Sequence, residues 1–147
     1  MNLEKKIDKY YNQFKTKKRE GEDETIVVFK DNVDKKLEHS VFKAHGDRLP
    51  DDWIFDTYHS ILGCLADYDI EKEDDIDENR SEIVDGLVDI YTSDLTSWLN
   101  NDNRNVYYLT EAQEEYGEEK DGFNLLMMAQ YKAIDEIFGE VENLLTD

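Results

Sequence analysis

The chain has 147 residues, with 17 Lys or Arg against 37 Asp or Glu and a formal net charge of −20. That length suits one domain with a real core, and 2 Trp, 9 Tyr and 6 Phe bury enough area to offset chain entropy, which excludes wholesale disorder. No apolar run reaches the roughly 18 to 20 residues of a membrane span, no leader pattern opens the chain, and a single cysteine, Cys64, excludes an intrachain disulfide or a cysteine-built zinc cage.

The first expected helix covers 2–19, with Leu3, Ile7, Tyr10, Tyr11 and Phe14 on one face and the run Lys15 to Arg19 as cations near its C-terminus. Gly21 and Glu22-Asp23-Glu24 end it. Thr25–Phe29 is short and β-branched, so it reads as a strand or a buried segment. Asn32 is placed to cap a second helix that turns Val33, Leu37, Val41 and Phe42 inward and stops at Gly46. Pro50 precedes a third helix, with Ile54, Tyr58, Ile61, Leu62 and Leu65 on its apolar face.

Residues 67–80 read as a charge-dense connector. A helix resumes near Asn79 and carries Ile83, Leu87, Ile90, Tyr91, Leu95, Trp98 and Leu99 at helical spacing. Asn100 to Asn103 is a turn, and Val106–Leu109 is a candidate strand to pair with 25–29. Thr110 to Gln113 fits a capping box for a short helix closed by Gly117. The last helix has the clearest face: Phe123, Leu126, Met127, Tyr131, Ile134, Ile137, Phe138, Val141, Leu144 and Leu145, with Gly139 inside it. The fold class is therefore mainly α, a compact bundle of five or six short amphipathic helices with provision for a small two-stranded β element. Residues 1–24 form an N-terminal helix or arm, and 25–147 one acidic, mainly helical domain.

Charge is the loudest functional signal. Residues 1–50 hold 12 Lys or Arg and 10 Asp or Glu, whereas 51–147 hold 5 and 27. From Asp51 to Asn103 the only cations are Lys72 and Arg80. Such a surface repels nucleic acid and attracts a basic protein surface. Glu78, Glu82, Asp85 and Asp89 step by 4, 3 and 4 and so share one helix face opposite the apolar one. Duplex DNA carries one charge per about 1.7 Å of axis, so the 22 excess charges of residues 51–147 match on the order of 37 Å of duplex.

Asp67, Asp69, Glu71, Asp75 and Glu78 fall at positions 1, 3, 5, 9 and 12 of a calcium-loop pattern between two expected helices. Lys72 departs from it where the loop needs glycine, and Asp74 where it usually places an apolar residue. This run is a weak metal candidate. His39, His45 and His59 match no metal spacing, and no phosphate loop, nucleophile elbow or Cys/His pair is present. No catalytic residue and no cofactor are expected. Cys64 reads as a small buried hydrophobe.

Three stretches, Ser81 to Tyr91 running on to Trp98-Leu99, Val106-Tyr107-Tyr108 to Tyr116-Gly117, and Leu125 to Phe138 with Gln130-Tyr131, resemble a family of small, uncharacterised acidic domains encoded by bacteriophages and related mobile elements. The resemblance spans roughly residues 50–140. It implies a phage-type setting, in the host cytoplasm, where small acidic proteins inhibit host nucleic-acid enzymes.

Two functional expectations follow. The first is a non-enzymatic acidic binding protein that imitates DNA and occupies the nucleic-acid site of a basic partner, such as a host restriction or CRISPR enzyme, through Glu78, Glu82, Asp85 and Asp89. It binds neither nucleic acid nor a membrane itself. The second is a helical assembly protein that forms homo-oligomers through apolar helix faces.

Overall fold

The computed structural model describes residues 2–18, 21, 25–43, 51–91, 106–116 and 122–146. Their order is α1 (Leu3–Tyr11), β1 (Phe14–Lys18), β2 (Thr25–Phe29), α2 (Lys35–Lys43), α3 (Asp51–Asp67), α4 (Glu73–Tyr91), α5 (Val106–Tyr116) and α6 (Gly122–Thr146). The protein is mainly helical, with six helices and one two-stranded antiparallel sheet among the described residues. No helix among the described residues is long and apolar enough to cross a membrane.

The α1 helix starts where the Asn2 side chain accepts the Lys5 N–H at 2.8 Å. It buries Ile7 and Tyr10 and ends at Tyr11, well short of the expected 19. Asn12 donates its side-chain amide to the Asp8 carbonyl at 2.8 Å, and the chain then turns into β1. Phe14 continues the helical spacing of α1, which is why the helix looked longer. Beyond it, Lys15 to Lys18 supply no apolar residue to extend that face, and pairing with Thr25–Phe29 takes over. Phe14 stands opposite Phe29 in the register, and Gly21, at φ +81°, lies in the connection.

The strand partner expected at Val106–Leu109 is thus corrected: that stretch is the first part of α5, and β1 fills its place. Thr110 consequently lies inside α5, exposed, and does not cap it. Asn32 is not a cap either. It adopts φ +58°, the left-handed region that asparagine tolerates, and sits in a turn. Asp34 opens α2 instead: it accepts the Lys36 N–H at 2.8 Å, pairs with Lys9 Nζ at 3.1 Å, and donates its own N–H to Gln13 Oε1 at 2.6 Å. One side chain therefore starts a helix and ties it to α1.

The α3 face is as expected, with Ile54, Tyr58, Ile61, Leu62 and Leu65 buried. Gly63 permits close approach of α1, because a Cβ there would lie 3.0 Å from the Tyr11 ring. Tyr58 hydrogen-bonds Ser40 of α2 through its hydroxyl, and its pKa is strongly raised by burial. The α6 helix packs against each of the other five described helices. Its seam holds Ile134, Ile137, Phe138, Val141, Leu144 and Leu145, with Ala129 and Ala133 letting neighbours come close. Each fully buried large aliphatic or aromatic side chain contributes about 1.5–3 kcal/mol. Ile7, Tyr10 and Phe14, from the segment set apart above as a helix or arm, lie in the same core cluster as these residues.

The helix expected near Asn79 begins earlier, at Glu73, so more than half of the expected connector is helical. Leu95, Trp98, Leu99, the turn at 100–103, Gly46, Pro50 and Gly117 lie outside the described residues.

Candidate functional site

The acidic face is set by how α4 starts and what it buries. Asp75, in its first turn, reaches back to accept the backbone N–H groups of Glu71 at 2.9 Å and Lys72 at 3.1 Å. The Lys72 N–H is a donor that a helix N-terminus leaves open, and an acidic residue at this point also favours the helix dipole. The two backbone hydrogen bonds hold the Asp75 carboxyl below its usual range.

This start departs from the geometry of a calcium loop. The segment from Glu73 is helix, so Asp75 and Glu78 ride on α4 while Asp67 ends α3 and Asp69 and Glu71 lie between the helices. Asp75 is also turned to the backbone. Among the described residues no group of three His, Cys, Asp or Glu is arranged to hold a metal ion.

Downstream, α4 buries Ile76, Ile83, Val84, Leu87 and Val88. Glu78, Glu82, Asp85 and Asp89 are all exposed on its other side. At 1.5 Å per residue the row runs for about 17 Å. Among the described residues none of the four has a cationic partner. Glu82 accepts a hydrogen bond from Tyr68, whose phenol is pushed up first by burial and then by this carboxylate. Asp67, Asp69, Glu71, Glu73 and Asp74 are exposed as well and extend the acidic surface around the N-terminus of the helix.

The two cations of this region behave differently. Lys72 is exposed. Arg80 is directed away from the row: its Nε donates to Asp135 Oδ1 at 2.8 Å, its Nη2 donates to the Asp135 carbonyl at 2.9 Å, and its guanidinium lies 5.3 Å from the centre of the Phe138 ring. It fastens α4 to α6 and leaves the outer face uncompensated. Sequence reasoning counted Arg80 as a charge but missed this role, since its partner is 55 residues away.

Local helix stability accounts for acids in the first turn of α4 but not for those in the last turns of α3 and α4. Neither α3 nor α4 has a basic residue in its last turn, yet α3 ends on Asp67 and α4 carries Asp89 there, against the helix dipole.

Other chemistry-bearing side chains serve packing. His59 stacks on Tyr11 with centroids 4.6 Å apart, and burial lowers its pKa. Burial, aided by Asp67, raises the Cys64 thiol, which disfavours the thiolate needed for nucleophilic or redox work. His39 lines an open cleft of about 420 Å³ between α2 and α6, with Lys36, Lys43 and Glu140. His45 lies outside the described residues.

Comparison with known proteins finds no matching family, no matching characterised protein and no matching solved structure.

Proposed function

We propose that the protein is a non-enzymatic binding protein whose acidic α4 face occupies the nucleic-acid site of a basic partner. A phage-type setting, suggested by the resemblance described above, makes host restriction and CRISPR enzymes the partner class. The carrying observation is the exposure of Glu78, Glu82, Asp85 and Asp89 along one face while Arg80 is turned into the α4–α6 junction. Over the same 17 Å or so a duplex carries about ten charges. The four-residue row supplies under half of these, and the acids around Glu73 supply part of the remainder. The likeness is one of charge and length, and it steers encounter more than it reproduces individual phosphate contacts.

The test is a duplex-binding assay with purified restriction and CRISPR enzymes. Inhibition should fall steeply as salt rises, because opposed exposed charges are screened. Reversal of Glu82, Asp85 and Asp89 to Lys should abolish inhibition while far-UV circular dichroism stays helical. Reversal of the exposed Glu4, Asp8 and Glu38 should matter much less. Inhibition that survives the first triple change, or a ternary complex holding both duplex and this protein, overturns the proposal. The assembly reading has a narrower footing, since among the described residues Phe42 is the one large hydrophobic side chain that is exposed, at 56%.

A further inference from the structure

The strand pair carries the opposite charge from α4, and among the described residues its β1 edge has no neighbouring strand. Lys30 donates its N–H to the Gln13 carbonyl at 2.8 Å, which makes 13 and 30 a hydrogen-bonded pair just outside the ladder. Stepping by two, Lys15 with Val28 and Lys17 with Ile26 occupy hydrogen-bonded positions. The backbone N–H and C=O groups of Thr16 and Lys18 therefore point away from β2. Among the described residues the sheet has no third strand, and Lys15, Thr16, Lys17 and Lys18 are all exposed.

We propose that the β1 edge binds an acidic, extended segment of a partner protein by strand addition. Extended backbone is the chemistry that satisfies a row of outward N–H and C=O groups. Charge then selects which strand is accepted. A second copy of the same edge would set lysine against lysine, which is unfavourable across a strand pair and is the usual guard against edge-to-edge aggregation. A strand with Glu or Asp at alternate positions meets Lys15 and Lys17 on one face and Lys18 on the other. Nucleic acid fits less well: it offers no main-chain pairing, and it must bring a dense row of phosphates up to a chain of net charge −20. A short acidic strand is affected less, because it carries far fewer charges along the same length. This surface is separate from the α4 row, and the two proposals stand or fall independently.

The experiment is fluorescence anisotropy on the full chain with a labelled peptide that alternates Glu and Val. Its comparators are the same peptide with alternate backbone amides N-methylated and a short single-stranded oligonucleotide. The unmethylated peptide should bind, and N-methylation should weaken it by more than about tenfold through loss of several main-chain hydrogen bonds at about fivefold each. The K15E/K17E/K18E variant should lose the peptide while keeping its helical circular dichroism. Thr16→Pro removes an N–H that points away from β2, a position where an edge strand tolerates proline, and should cost about fivefold. Should that variant misfold, the N-methylated peptide on the unaltered chain decides the matter. Absence of peptide binding, equal binding of the methylated and unmethylated peptides, or tighter binding of the oligonucleotide would each overturn the proposal.

Discussion

Residues 2–43 and residues 51–91 use charge in opposite ways. The described part of the first region holds ten lysines against five acids, and the second holds fourteen acids against Lys72 and Arg80. In the first, two of the lysines are joined to the fold: Lys9 pairs with Asp34 at the start of α2, and Lys6 Nζ donates to the Leu145 carbonyl near the end of α6. In the second, Arg80 serves the fold and the carboxylates of the α4 row stand outside it. The contrast shows that net charge alone says little about a surface. What matters is which side chains have been drawn into local structure and which are left facing solvent.

Both regions rest on α6, so the largest expected effect comes from removing part of their common floor. Phe138 is fully buried, and Arg80 lies over its ring. Phe138→Ala should destabilise the protein by about 3–5 kcal/mol. Thermal unfolding followed by circular dichroism measures the loss, and native-state hydrogen exchange shows where protection disappears. If the two regions form one cooperative unit, amides of α1 and β2 lose protection together with those of α4. Retained protection in α1 and β2 would show that the basic region folds apart from the acidic one.

A smaller and more local effect should follow from Arg80→Met, which keeps most of the apolar stem but removes the hydrogen bonds to Asp135. The ion pair is partly exposed, so the expected loss is about 1 kcal/mol. Exchange should speed up in α4 and leave α1 and α2 unchanged. Uniform destabilisation would mean that Arg80 does more than fasten α4 to α6.

The asymmetry between the regions also governs how much the sequence revealed. The faces of α3, α4 and α6 were legible because long helices repeat their apolar spacing several times, as in Ile54, Tyr58, Ile61, Leu62 and Leu65. The mainly α class and the exposure of the α4 row follow from the same periodicity. Short elements were less legible. β1 has one buried residue, Phe14, and that residue also fits the spacing of α1. Val106–Leu109 is β-prone in composition, yet Tyr108 and Ala112, one helical turn apart, are both buried in α5. Asp34 and Asn32 are equally good caps in one dimension. Only Lys9 and Gln13, brought over from α1 and the turn behind it, decide for Asp34. Asp75 filled a calcium-loop position in the sequence and a helix-capping role in the fold, since the same carboxylate suits a cation or two N–H groups.

The finest test of the comparison is pH, because two carboxyl groups, one at the α1–α2 junction and one at the α4–α6 junction, should respond with opposite sign. The Asp34 carboxyl is held below the usual 3.8, first by its hydrogen bond with Lys9. The stability it contributes is complete above that value and is lost as pH falls through the lower, folded-state one. On α6, the Glu142 carboxyl is pushed above the usual 4.5, first by burial and then by the neighbouring Asp77 of α4. Its protonated form suits the folded state better, so its contribution is greatest below 4.5 and is lost as pH rises through the raised value. Mild acidification from neutrality should therefore strengthen the α4–α6 junction before stronger acid weakens the α1–α2 junction. Glu142→Gln should mimic the protonated state, raise the melting temperature slightly at neutral pH, and flatten the gain on mild acidification. Asp34→Asn should lower the melting temperature at neutral pH and flatten the loss in strong acid. Melting curves of the two variants across pH decide the matter, and a shared sign would mean that the two junctions do not differ electrostatically as their geometry implies.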